Sequence, residues 1–184
     1  MCTDTYGVRD FHIPSFREGR EEWFEFQGGY DFEQFMFGFD SSGMKLDQRY
    51  RYKSFYADLK EAVSQAKENG LTYEGLINRG CKPFCVYLFE EIRNLFSIKD
   101  RSKVQMYITL GTPLDLIHGV DMVISMSNRF VTIDTTIDPF GKDRNRPKFK
   151  NYSNHMIFSH YNLSQKETSK FAKKVLSLLT KKDF

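Results

Sequence analysis

Asp121 and Asp134 are the residues whose type and spacing most directly suggest chemistry. Val123 and Ile124 follow the first, and Val131 and Ile133 precede the second. Such β-branched side chains favour strands, and Ser127-Asn128 between the two runs is ordinary turn chemistry, so residues 112–142 read as a tight β-hairpin. A buried strand has no structural need for a carboxylate. Ionised carboxylates are costly to desolvate unless paired or bound to a cation, so two that a hairpin brings side by side point to a divalent-metal site. Oxygen-rich ligation favours a hard ion, Mg2+ or Mn2+, over zinc.

The surrounding polar residues extend this pattern. Asp115 and His118 come just before Asp121. The first could supply another carboxylate, and the second could act as a general base because an imidazole titrates near neutrality. Equally, Asp115 could cap a turn and His118 could merely precede the bend at Gly119. Downstream, Lys142, Arg144, Arg146, Lys148 and Lys150 form a basic run interrupted by Asp143, and Pro139, Gly141 and Pro147 make that segment a loop. A cationic loop beside a metal centre would hold a phosphodiester backbone, whereas in isolation it would read as a solvated surface.

Helices and strands must position these groups. Residues 53–69 place Phe55, Leu59, Ala62, Val63 and Ala66 on one helical face, with Gly70 as a stop. A second helix over 83–98 starts near Pro83 and aligns Cys85, Leu88, Phe89, Ile92, Leu95 and Phe96. Glu90 points away from that stripe, while Glu91 lies at its edge and could reach a buried site. Residues 104–110 read as a strand, 111–119 as a loop and 154–160 as a short strand. Residues 164–182 form a helix with Ser164 and Glu167 in capping-box spacing and Phe171, Val175, Leu178 and Leu179 on its buried face. The region up to residue 52 has no sustained period. Residues 16–26 could form a short helix, and residues 28–43, where Phe alternates with other residues, read as a strand or an irregular aromatic arm. Its rings could pack the core, stack on bases or bind a protein partner.

This arrangement resembles the PD-(D/E)XK (restriction-endonuclease-like) nuclease superfamily over roughly residues 84–180. His118-Gly119-Val120-Asp121 matches the first acidic element, and Asp134-Thr135-Thr136 stands where a second acid and a lysine belong. The resemblance implies an α/β (α+β) fold with a mixed central β-sheet flanked by helices. Its core would have the order αβββ, followed here by a strand and a C-terminal helix. It implies Mg2+- or Mn2+-dependent hydrolysis of phosphodiester bonds in nucleic acid, DNA first, with Asp121, Asp134 and the helix-borne Glu91 as metal ligands. The lysine is missing. Thr136 cannot carry its charge, so either another residue such as Lys142 substitutes, or the chain is a catalytically inactive nuclease fold that binds nucleic acid or a protein partner.

Composition bounds the rest. A chain of 184 residues with eighteen Phe and ten Tyr can build a sizeable core, read as a nuclease-like domain over 53–184 with an aromatic extension over 1–52 packed on it. The net charge of +3 says little about partners, and no apolar run is long enough for a membrane span. The first residues lack the features of a secretory signal, and three cysteines lack a disulfide framework, which points to a cytoplasmic, intracellular setting. Cys81 and Cys85 have neither redox-pair spacing nor further zinc ligands nearby, and read as buried thiols rather than a metal site. The density of Lys, Asn, Phe and Tyr suits an AT-rich genome such as that of a phage, which adds the virion or the infected host cell as settings. No P-loop, dinucleotide fingerprint, HExxH or GxSxG occurs, so nucleotide hydrolysis, hydride transfer and serine chemistry lack a starting point.

Overall fold

Ser127 and Asn128 do turn the chain. Ser127 takes a left-handed φ of 56°, and strands β2 (Met122–Met126) and β3 (Arg129–Thr136) pair antiparallel around it, with Met126 opposite Arg129 and Met122 opposite Ile133. The computed structural model describes residues 26, 28–137 and 154–181. Within them β1 (Val104–Ile108) lies antiparallel to β2, and β4 (His155–Ser159) lies parallel to β3, giving a mixed sheet of order β1-β2-β3-β4.

The helices are α1 (Gly29–Phe37), α2 (Phe55–Glu68), α3 (Tyr73–Asn78), α4 (Phe84–Asn94), α5 (Ile98–Arg101), α6 (Pro113–His118) and α7 (Gln165–Thr180). They cover both faces of the sheet. Alternate residues of a strand project to opposite sides. Phe130 on β3 meets Phe55 of α2, with ring centroids 6.4 Å apart. On the other side, Thr135 pairs with Phe158 of β4, whose ring contacts Phe84 of α4 and Phe171 of α7. Strands sandwiched in this way must be apolar on both sides, and Val104, Met106, Met122, Val123, Ile124, Val131 and Ile133 are all buried.

Helices α2 and α7 follow their apolar stripes and their caps. Ser54 accepts a hydrogen bond from the Ala57 amide and Ser164 from the Glu167 amide, each satisfying a first-turn donor. Three segments differ from the sequence expectation. Residues 111–119, expected as a loop, contain α6, with Pro113 at its start and Gly119 in a left-handed cap at φ 62°. Both signals are present in the sequence, but six residues are too few to show a period. Residues 28–43, read as a strand or arm, hold α1. Phe32, Phe35 and Met36 keep helical spacing, and Gly38 at φ 83° ends the helix by donating its amide to the Gln34 carbonyl. The helix expected over 83–98 stops at Asn94, and a separate short turn, α5, follows.

Phe32, Met36 and Phe37 of α1 are fully buried in the same core cluster as Leu88, Ile92, Ile124 and Val175. A boundary at residue 52 therefore does not divide the core. No helix among the described residues is long and apolar enough to cross a membrane. Cys81 and Cys85 are both buried. Cys81 is disulfide-bonded, where the spacing of the cysteines leads one to expect a free thiol. Burial pushes the Cys85 thiol well up, so it stays protonated.

Candidate functional site

Gly119 turns the chain out of α6 and delivers Asp121 to the residue before β2. Continued strictly, the β2–β3 register would set Asp121 opposite Asp134. The ladder shifts there instead: the Asp121 amide donates to the Ile133 carbonyl. Its carboxylate is held from β3, where Oδ2 accepts the Thr135 amide at 2.7 Å and the Thr135 hydroxyl at 2.6 Å. Asp121 is only 3% exposed.

Burial is the largest influence on this group and raises its pKa well above the ordinary carboxylate range. The neighbouring charges that act on it, Asp134 and then Asp115, are both negative and raise it further, while the Thr135 hydrogen bonds lower it. A carboxyl in this setting holds a proton at pH values where an exposed aspartate has lost it, unless a cation comes near. Perturbed carboxyls of this kind concentrate at functional sites, although structural networks also produce them.

Asp115, on the first turn of α6, accepts the Gly111 amide at Oδ2, 2.7 Å away, and so ties down the loop that enters α6. Its charge also reaches Glu33 on α1. There burial is the main cause of a raised pKa, opposed by hydrogen bonds from Ser41, one of them from its amide at 2.7 Å, with Asp115 and Asp40 adding to the rise. Glu33, Asp115, Asp121 and Asp134 thus form an electrostatically connected acidic group drawn from α1, α6, the approach to β2, and β3. Among the described residues, no three carboxylates, imidazoles or thiols stand close enough to form a ready-made metal cage.

Glu91 and His118 go elsewhere. Glu91 is half-buried on α4, where its charge acts on Tyr87, and the helix-borne acid connected to the site is Glu33. His118 turns away from Asp121. Its Nε2 lies 3.0 Å from Oδ2 of Asp58 on α2, with its ring edge-on to Phe55 at 5.4 Å, so the imidazole ties α6 to α2 and is not poised over the acidic group. Lys142, Arg144, Arg146, Lys148 and Lys150 lie outside the described residues. Thr136, where the resemblance would call for a lysine, ends β3 half-buried opposite Ser159.

No protein-family model, curated protein or solved structure matches this chain. Sequence reasoning misses two carboxylates that the geometry singles out. Glu33 is hidden because the residues around it do not declare α1 as a helix. Asp58 is legible: it falls three residues after Phe55 and four before Ala62, inside the apolar stripe of α2, and a carboxylate at such a position requires a buried partner. The partners are His118 and Tyr50, whose hydroxyl lies 2.9 Å from Oδ1 and 2.8 Å from Oδ2.

Proposed function

We propose that the protein is a metal-dependent, nuclease-like protein with a restriction-endonuclease-like core, hydrolysing phosphodiester bonds in nucleic acid, DNA in the first instance. The observation that carries this reading is the buried Asp121 carboxyl, whose acting neighbours Asp134 and Asp115 carry its own sign. A divalent cation would convert that repulsion into ligation. Asp121 and Asp134, with the Thr135 carbonyl, offer the hard oxygen donors that Mg2+ or Mn2+ takes, and Glu33 and Asp115 would add charge from further out. When bound, such an ion lowers the pKa of a water and neutralises charge developing on the phosphate. The chain's own part is to fix the donors. Thr135 holds Asp121 through two hydrogen bonds to Oδ2, and Asp115 braces the loop entering α6. The basic residues from Lys142 to Lys150 would position the phosphate backbone.

Calorimetric titration with Mn2+ tests the reading. Binding is expected for the wild type and should vanish in Asp121→Ala. It should also release a proton and weaken as the pH falls, because the ion competes with the proton on Asp121. A wild-type protein giving no Mn2+ heat would end the metal reading. A second reading is favoured by a specific observation: Oδ2 of Asp121 already has two donors, and Thr136 stands in the lysine position. In it the chain is a catalytically inactive nuclease fold that binds nucleic acid or a protein partner. Incubation with single-stranded, duplex and branched DNA and with RNA, with and without Mn2+, separates the two, since only the first produces cleavage.

A further inference from the structure

The segment leading into α2 reads Arg49-Tyr50-Arg51-Tyr52-Lys53-Ser54-Phe55-Tyr56, an alternation of cations and rings that the acidic site does not use. Tyr50 is turned inward. Its hydroxyl lies against Asp58 and accepts the Lys53 amide at 3.2 Å, and Ser54 caps α2. The backbone between these two anchors is therefore fixed, and the side chains it carries project outward. Tyr52 is 79% exposed and Tyr56 68% exposed. Tyr56 is braced rather than covered: it meets Phe55 and Phe130 edge-on, at 5.6 Å and 6.2 Å with interplanar angles of 78° and 82°.

Isolated exposed rings are common and need no explanation. Here, however, two stand four residues apart around one helix cap, and a third ring, Phe130 on the β2–β3 hairpin, supports Tyr56. The cations among them differ in availability. Lys53 is paired with Glu61 at 2.5 Å and Arg49 with Asp47 at 3.0 Å. Arg51, directly before Tyr52, and Lys60, one helical turn beyond Tyr56, are exposed and hold no carboxylate among the described residues.

We propose that Arg51, Tyr52, Tyr56 and Lys60, backed by Phe130, form a binding surface for single-stranded nucleic acid. Unpaired bases would stack on the two tyrosine rings, and Arg51 and Lys60 would meet the flanking phosphates. The chemistry selects this occupant. Rings with an open face accept any base once it is free of its pair, a paired base cannot present its face to them, and interleaved cations suit a backbone carrying one negative charge per nucleotide. A protein-docking patch also draws on Tyr and Arg, but it disfavours lysine, and the rings here stand among Arg51, Lys53 and Lys60 rather than among aliphatic side chains. Anchoring at Tyr50 and Ser54 means that little backbone freedom remains to be lost on binding.

The surface works without metal and without Asp121, so it is tested separately from the nuclease reading. Fluorescence anisotropy of a fluorescein-labelled oligo(dT) strand is measured with the full chain in EDTA, against a duplex of equal length. The wild type is expected to bind the single strand more tightly than the duplex. Tyr52→Ala and Tyr56→Ala should each weaken single-strand binding about tenfold, while Tyr52→Phe and Tyr56→Phe retain it because the ring face is kept. Arg51→Gln with Lys60→Gln should reduce the slope of log Kd against log salt by about 1.4, roughly 0.7 for each phosphate left without its cation. All of these side chains are exposed, and an unchanged melting curve confirms that each variant is folded. The proposal is overturned if the wild type does not bind oligo(dT) at low salt, if the alanine variants bind it as the wild type does, or if they lose duplex binding to the same extent.

Discussion

Asp58 and Asp121 are buried to nearly the same depth, at 1% and 3% exposure, but their surroundings differ. Asp58 meets an imidazole and a phenol, so its two oxygens face groups able to donate to it. Asp121 meets an amide and a hydroxyl on one oxygen, and the neighbouring charges that act on it are negative. Depth alone therefore does not mark a functional carboxylate. The first arrangement holds α2, α6 and the segment before α2 together, and the second has an electrostatic demand that a cation would meet.

The largest expected effect falls on the structural member of the pair. Asp58→Ala leaves His118 Nε2 and the Tyr50 hydroxyl without their buried acceptor and should cost about 3–5 kcal/mol, read as a Tm lower by roughly 10 °C. A drop of only a degree or two would show that the two carboxylates do not differ as described.

At Asp121 the sign reverses. A carboxyl whose pKa is raised in the folded protein contributes stability below its unfolded pKa of about 3.9, and that contribution is lost as the pH rises through the folded value. At neutral pH the wild type therefore carries the cost of a buried carboxyl that must either keep its proton or ionise beside negative neighbours. Asp121→Asn keeps the acceptor for Thr135 and removes that cost. The variant should melt about 2–6 °C higher than wild type at neutral pH, with the gain shrinking as the pH falls from the folded value toward about 4 and gone below it, and it should bind no Mn2+. A neutral or lower Tm at pH 7 would remove Asp121 from the contrast.

The pH scan has a background of opposite sign. Burial holds His155 down at about 4, with its Nδ1 2.9 Å from the Thr132 hydroxyl. A depressed histidine is stable neutral above its unfolded pKa of about 6.5, and that contribution is lost as the pH falls toward 4. Wild-type Tm should therefore decline over that interval, and His155→Gln should flatten the decline. The smallest effect tests the Asp58 network without dismantling it: Tyr50→Phe removes one hydroxyl, keeps the ring, and should cost about 1 kcal/mol in a denaturant melt.

Much of the framework is legible in the sequence because its signals are local. The stripe at Phe55, Leu59, Ala62 and Ala66 repeats at the helical period, and Ser54 and Ser164 sit where a first turn needs an acceptor. The turn at Ser127-Asn128 joins two β-branched runs. These features depend on neighbours a few residues away, and the sequence alone determined them. It also showed two acids in the hairpin region, Asp121 just before one strand and Asp134 within the other.

Tertiary structure decided which groups meet. His118 finds Asp58 sixty residues earlier, and Glu33 comes within electrostatic range of Asp115 across the molecule. Glu91 acts on Tyr87 along its own helix. Local periodicity says which face of an element is buried, but the partner on that face depends on how α1, α2 and α6 pack against the sheet. An acidic residue carries no signal of whether it will face a proton donor or another acid, since that is set by chain segments distant in sequence that packing brings together.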